Sequence, residues 1–216
     1  SLSIGVSPFL MNVASCFVVI LINRQLQHHG GDMAIGAYGI VNRIAFLFVM
    51  LNMGFTQGMQ PIAGYNYGAK QYGRVREVLK LTILFATICT TAGFIAGEIF
   101  PNALISLFTK DPELKAIASH AMRIIVAAFP VIGSQIVITN FFQSIGRVKQ
   151  SIFLSLSRQL LFLIPLLIIL PGFWGTDGVW WAMPCSDIVS AAVSAIMILS
   201  LLRTFGKEGN EEPKTL

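Results

Sequence analysis

Apolar residues run through this sequence in six long stretches, at about 5–26, 36–60, 79–100, 118–142, 151–171 and 179–202, with short polar connections between them. Each approaches the roughly 20 residues that a helix needs to cross hydrocarbon. Runs such as Leu160-Leu161-Phe162-Leu163-Ile164 have no polar position at all, so they lack the alternation of a half-buried strand. Membrane barrels would show alternating segments of about ten residues. The pattern predicts an all-α integral membrane protein: a bundle of six transmembrane helices over residues 1–205, then a polar tail over 206–216.

Composition narrows the class further. Of 216 residues, 55% are hydrophobic and 12% charged, whereas a soluble domain carries about 25% charged residues. With 11% aromatics, a disordered chain is excluded as well. Cys16, Cys89 and Cys185 fall in three separate apolar runs with no CxxC or Cys/His spacing. They read as small buried hydrophobes, and no metal site or disulfide framework is expected.

The net charge of +5 raises the question of nucleic acid. The basic residues, however, occupy short connections between apolar runs, which is a topology signal and not a binding stripe. Lys70, Arg74, Arg76, Lys80, Arg147, Lys149, Arg158, Arg203, Lys207 and Lys214 fall on one side; Arg24, Lys110 and Lys115 fall on the other. Arg43 and Arg123 lie inside or near the ends of helices. Ten against three places both ends of the segment in the cytoplasm, in a multi-pass protein of the inner (plasma) membrane. The apolar run begins almost at Ser1 with no charged n-region or A-x-A site, so it does not read as a signal peptide. The missing initiator Met is compatible with a fragment of a longer chain. The tail reads as a frayed cytoplasmic end.

Polar side chains are expensive in lipid and face a bundle interior or a wet cavity. On the fourth helix Gln135, Thr139 and Gln143 recur every four residues, and Ser134, Asn140 and Ser144 widen the stripe. On the first, Asn12, Ser15 or Cys16, and Asn23 recur at near-helical spacing, one turn after Pro8. These faces either join helices by hydrogen bonds or line a central cavity. Asp187, just after Pro184, and Glu98 are the only acids near the membrane interior. Asp187 is the ion-coupling candidate, able there to take up and release a proton; the alternative is a structural role, paired with a basic group such as Arg43. Glu98 and His120 read as interfacial. Pro8, Pro61, Pro130, Pro165 and Pro184 each remove an amide donor and can kink a helix.

The segment from Gly54 to Lys70 is the most unusual. Gly54 and Gly58 form a small-xxx-small pair that permits close packing. Gly64 and Gly68 bracket Tyr65 and Tyr67 where the second helix is expected to leave the membrane and turn along its surface. No G-x-S-x-G, H-E-x-x-H or Walker lysine loop is present.

Gln57-Gly58-Met59-Gln60-Pro61-Ile62 with Gly64-Tyr65-Asn66-Tyr67-Gly68-Ala69 resembles the eighth-helix signature of the multidrug and toxic compound extrusion (MATE) family. Phe142-Gln143-Ser144-Ile145-Gly146-Arg147 is similar to the exit of that family's tenth helix. Gly178-Val179-Trp180, leading to Pro184 and Asp187, is similar to its twelfth. The resemblance implies the C-terminal lobe, helices seven to twelve, of a two-lobe antiporter. Such a carrier exports amphipathic, often cationic organic compounds in exchange for protons or sodium, with no other cofactor, by rocking of two repeats. Its partners are then the bilayer, an N-terminal six-helix lobe and small organic substrates.

Two departures stand out. One branch of the family places coupling carboxylates on helices seven and ten, where this chain has Asn12, Ser15 and Cys16, then Gln135 and Thr139. Another uses an aspartate on helix one, outside this chain. The coupling ion therefore stays open between proton and sodium. The expected cavity face comes from the first, second and fourth helices, with Asn12, Cys16, Gln57, Gln135, Thr139 and Gln143 lining it. Met11, Met50, Met53 and Met59 serve either as adaptable contacts or as packing. Gln60, Pro61, Gly64, Tyr65, Asn66 and Gly68 form the helix-exit motif. Three other readings stay open: a non-transporting six-helix module, a lipid-linked oligosaccharide flippase of the wider superfamily, and an intramembrane enzyme, the last lacking any pair of catalytic residue types.

Overall fold

A computed structural model describes the backbone of residues 2–211 and the side chains of residues 12–203. The side chains of Pro8 and Met11, and residues 212–216 of the tail, lie outside what is described. All the regular structure among the described residues is helical: α1 (Leu2–Gly68), α2 (Tyr72–Ile99), α3 (Pro101–Ser106), α4 (Pro112–Val126), α5 (Phe129–Ser144), α6 (Val148–Leu156), a π-helical segment (Ser157–Leu163), α7 (Ile164–Trp174) and α8 (Thr176–Glu211).

The apolar part of α1, Asn12–Gly68, is 57 residues long. At 1.5 Å per residue that is about 85 Å, far more than one bilayer. Gly31 resolves the excess. It adopts φ 64° and ψ −164°, a conformation open to glycine and not to side-chain-bearing residues, and divides α1 into two arms. Their directions follow from their contacts. In the first arm, Ser15 meets Gln159 and His29 meets Thr176, so it runs parallel to the fifth apolar stretch. In the second arm, Asn52 meets Gly133 and Gln60 meets Asn140, so it runs parallel to α5. The chain reverses at Gly31.

The fourth stretch is also broken. α4 and α5 are bent by 54° at Ala127-Ala128, and Pro130 occupies the first turn of α5, where its missing N–H leaves no helical bond unmade. With α2, the rod Val148–Trp174 and Thr176–Arg203, the described residues make a six-helix transmembrane bundle. The helices overrun the stretches read from sequence. The second arm passes straight through Pro61 to Gly68, and α8 continues into the polar tail as far as Glu211.

Both connections at the Lys70 end use one device. Lys70 takes φ 57° while Gln71 N–H bonds Asn66 C=O and Lys70 N–H bonds Tyr67 C=O. Gly146 takes φ 77° while Arg147 N–H bonds Phe142 C=O and Gly146 N–H bonds Gln143 C=O. Each is a Schellman ending that satisfies the last free carbonyls of its helix. The Tyr-Asn-Tyr-Gly-Ala-Lys and Phe-Gln-Ser-Ile-Gly-Arg motifs are thus physically helix stops. At the opposite end, Asp111 caps α4 by accepting from Glu113 N–H, with Pro112 next in the chain.

The core has two apolar clusters. One, toward the Gly31 end, gathers Leu26, Val41, Met122, Val126, Leu167 and Trp180. The other, toward the Lys70 end, gathers Met59, Leu79, Phe141, Phe142, Leu154 and Leu201. Between them, the second arm, α5, the π segment and α8 each bury polar groups: Asn52 and Thr56, Gln135, Ser157, and Ser186, Asp187, Ser190 and Ser194. A polar belt therefore crosses the middle of the lobe.

Glycine packing departs from expectation. A Cβ added at Gly54 or Gly58 would meet nothing within 4 Å, so this pair makes no close approach within the lobe. A tight crossing is found at Gly133, where an added Cβ would sit 2.8 Å from Ala86 O and 2.5 Å from Thr90 Oγ1. There α2 and α5 touch almost backbone to backbone.

Candidate functional site

A cavity of about 180 Å³ opens between α5 and the rod formed by α6 and the π segment. Gln135, Thr139, Asn140 and Gln143 line one wall; Ser151, Ser155, Arg158 and Gln159 line the other. The four-residue spacing of Gln135, Thr139 and Gln143 puts them on one face of α5, which runs from buried Gln135 through half-buried Thr139 to exposed Gln143 at the cavity mouth. Thr139 and Asn140 bond carbonyls one turn back, at 2.9 Å each, which satisfies them locally. Gln135 is 3% exposed and donates across to Ser190 Oγ of α8 at 2.6 Å. Its Oε1, and that of Gln159, are buried without a protein hydrogen-bond partner.

Behind this cavity lies the lobe's one described ion pair between helices in its interior. Arg158 Nε is 2.7 Å from Asp187 Oδ1, with side chains 36% and 8% exposed. The N–H is not aligned on the oxygen, so the contact is ionic more than a directed hydrogen bond. The rod supplies a local reason for the arginine's placement. Pro165 has no N–H to bond Leu161 C=O, and in the preceding two turns the backbone widens into the π-helical segment. In that wider turn Arg158 faces α8 while the neighbouring Gln159 donates to Ser15 Oγ of the first arm at 2.9 Å.

Several expectations need correcting. Arg158 is not part of the basic connection before the fifth helix, which leaves nine basic residues against three for the topology signal. Arg43 is exposed and is not the partner of Asp187; Arg158 is. This cavity, inside the lobe, is walled by the fourth and fifth helices and is a different place from the cavity face expected on the first, second and fourth. Asn12, Cys16 and Gln57 are exposed on the lobe's surface and are absent from this cavity's lining. Met50 and Met53 are also exposed, while Met59 is buried in the core.

Two residues of the exit motif, Gln60 and Gly64, pack the second arm against α5. Gln60 donates to Asn140 Oδ1 at 3.3 Å, and buried Asn66 bonds Ile62 C=O at 2.8 Å, one turn beyond Pro61. Gly64 lets the helix approach Ser144 C=O, where an added Cβ would stand at 3.0 Å. Tyr65 projects outward, Pro61 and Gly68 are exposed, and Gly68 is the last helical residue. Sequence reasoning missed Gln159 and Asn52, and grouped Arg158 with the connection before the fifth helix. A usable signal existed for Arg158 and Gln159: they lie about three turns past Gly146, too deep for a connection.

Glu98 is exposed. His120 Nε2 lies 3.0 Å from Asp177 Oδ1 at the Gly31 end, and both are more than half exposed, so this pair contributes little.

The sequence profile of the MatE family matches residues 4–169. The chain is 28% identical over 204 residues to the multidrug export protein MepA of Staphylococcus aureus (strain NCTC 8325 / PS 47), covering 93% of this chain and 44% of that protein. It is 25% identical over 203 residues to MepA of Staphylococcus haemolyticus (strain JCSC1435), with 92% and 43% covered. The solved structure of the MATE multidrug transporter DinF-BH is 42% identical and superposes with a TM-score of 0.79 over 91% of this chain and 44% of that one. A crystal structure of MATE in the bent conformation, 19% identical, shares the fold at a TM-score of 0.88 over 94% of this chain and 45% of that one. The chain thus spans less than half the length of the relatives it matches. With a matching profile over most of its length and the same helical fold, this multi-pass membrane protein belongs to the MatE family of transporters.

Proposed function

We propose that this chain is the C-terminal lobe of a secondary active multidrug efflux antiporter. It exports amphipathic, often cationic organic compounds in exchange for protons or sodium. The carrying observation is the polar cavity faced by Gln135, Thr139 and Gln143 beside buried Asp187, inside a lobe whose relatives are named as multidrug exporters. In this reading Asp187 is the lobe's candidate for the exchanged cation, since a carboxylate held among helices can change charge state with the transport cycle. The Lys70 end faces the cytoplasm, in keeping with its excess of Lys and Arg.

Asn12, Cys16 and Gln57 fit a second surface. Exposed on the lobe, they belong to the face turned toward an N-terminal lobe, where the main substrate passage would lie between two repeats. Expression of the complete transporter in a drug-sensitive host tests the reading. Retention of a cationic dye should fall several-fold relative to cells carrying this lobe alone. Equal retention in the two strains would refute it.

A further inference from the structure

Six of the seven acidic residues within the described side chains are exposed: Asp32, Glu77, Glu98, Asp111, Glu113 and Asp177. Asp187 is the buried one. A metal cation held inside this lobe therefore has a single anionic ligand available to it, and that ligand is already engaged by a guanidinium at 2.7 Å. We propose that Arg158 is the resident counter-cation of Asp187: it fills the place a sodium ion would take and so determines that this carboxylate binds no metal cation. The inference rests on reading Asp187 as the exchange carboxylate and adds the ion class the site rejects.

Two physical effects support exclusion. Hard cations need several oxygen ligands with net negative charge to repay their dehydration; with Arg158 in contact, the charge on Asp187 is cancelled before any ion arrives. Arg158 is also tethered on the neighbouring helix, so its effective concentration at Asp187 exceeds what dissolved sodium can match. The oxygens a sodium ion would want are nonetheless nearby. Ser190 is one turn from Asp187 on α8 and is bonded to Gln135, and the Oε1 of Gln135 and the Oδ1 of Asp187 have no hydrogen-bond donor. Removing the positive charge of Arg158 should thus uncover a latent sodium site.

The test is a thermal-unfolding titration of the purified complete transporter in detergent, with sodium chloride exchanged for choline chloride at constant ionic strength. In the native protein and in Arg158→Lys, the sodium response should be unchanged when Asp187→Asn is added. Arg158→Gln should gain a saturable upward shift of about 2–4 °C, which Arg158→Gln with Asp187→Asn loses. A folded Arg158→Gln protein that ignores sodium overturns the proposal. So does a saturable sodium shift in the native protein that Asp187→Asn abolishes, a comparison that holds even where Arg158→Gln fails to fold. Because this measurement needs no transport, its failure is distinct from a failure of dye export.

Discussion

Gln135 on α5 donates to Ser190 Oγ on α8 at 2.6 Å, one turn beyond Asp187, and so joins the cavity wall directly to the helix that carries the buried carboxylate. Hydrogen bonds between membrane helices average about 0.6 kcal/mol and reach about 1.7. This one is short and buried, so a double-mutant cycle of Gln135→Ala and Ser190→Ala should give a coupling of about 1–2 kcal/mol in thermal or denaturant unfolding. A coupling indistinguishable from zero would mean that the contact adds nothing to the packing of the two helices.

The ion pair makes a different prediction, because leaving one buried charge unpaired costs more than losing both. Arg158→Leu or Asp187→Leu alone should destabilise the complete transporter toward the lower end of the roughly 3–5 kcal/mol typical of broken buried pairs, since Arg158 is about a third exposed. The double Leu variant should be more stable than either single one. Unfolding midpoints of the three variants check the order.

Small residues in the sequence do not all mark contacts, and stability should separate them. At Gly133 a methyl group would collide with Ala86 O and Thr90 Oγ1 on α2. Gly133→Ala should cost about 1–3 kcal/mol through overpacking. Gly58→Ala, with open space around it, should stay within about 0.5 kcal/mol of the native protein. Thermal midpoints of the two variants, measured in one detergent, decide the matter.

The charge asymmetry predicts sidedness. With single cysteines at Lys70 and Lys110, an impermeant thiol reagent added outside intact cells should label position 110 and leave position 70 unlabelled until the membrane is broken. Labelling of both from one side would contradict the cytoplasmic placement of the Lys70 end.

The helical bundle was legible because lipid enforces long uninterrupted apolar runs, and the stripe of Gln135, Thr139 and Gln143 stood out against such a background. The turn at Gly31 was legible only as a gap between runs; what it does depends on a φ that only glycine readily supplies. The Arg158–Asp187 pair was not legible. Its members are far apart in the chain, and Arg158 follows Arg147 and Lys149 so closely that charge alone groups it with the connection. Arg158 also sits in the π-helical segment before Pro165, whose widened turn no simple periodicity encodes. Asn12, Cys16 and Gln57 share the polar character of Gln135, but a pattern within one helix does not distinguish a face turned into its own lobe from one turned outward. The glycines at 54 and 58 illustrate the same limit, since spacing permits close packing without naming a neighbour.

The most direct measurement is export of a cationic dye by proteoliposomes of the complete transporter under an imposed cation gradient, comparing the native protein with Asp187→Asn and Gln135→Leu. Gradient-driven dye movement in the native protein, lost or reduced at least tenfold in Asp187→Asn and weakened in Gln135→Leu with all three proteins folded, is the predicted result. Dye movement in Asp187→Asn that matches the native protein in rate and gradient dependence would contradict a coupling role for the buried carboxylate.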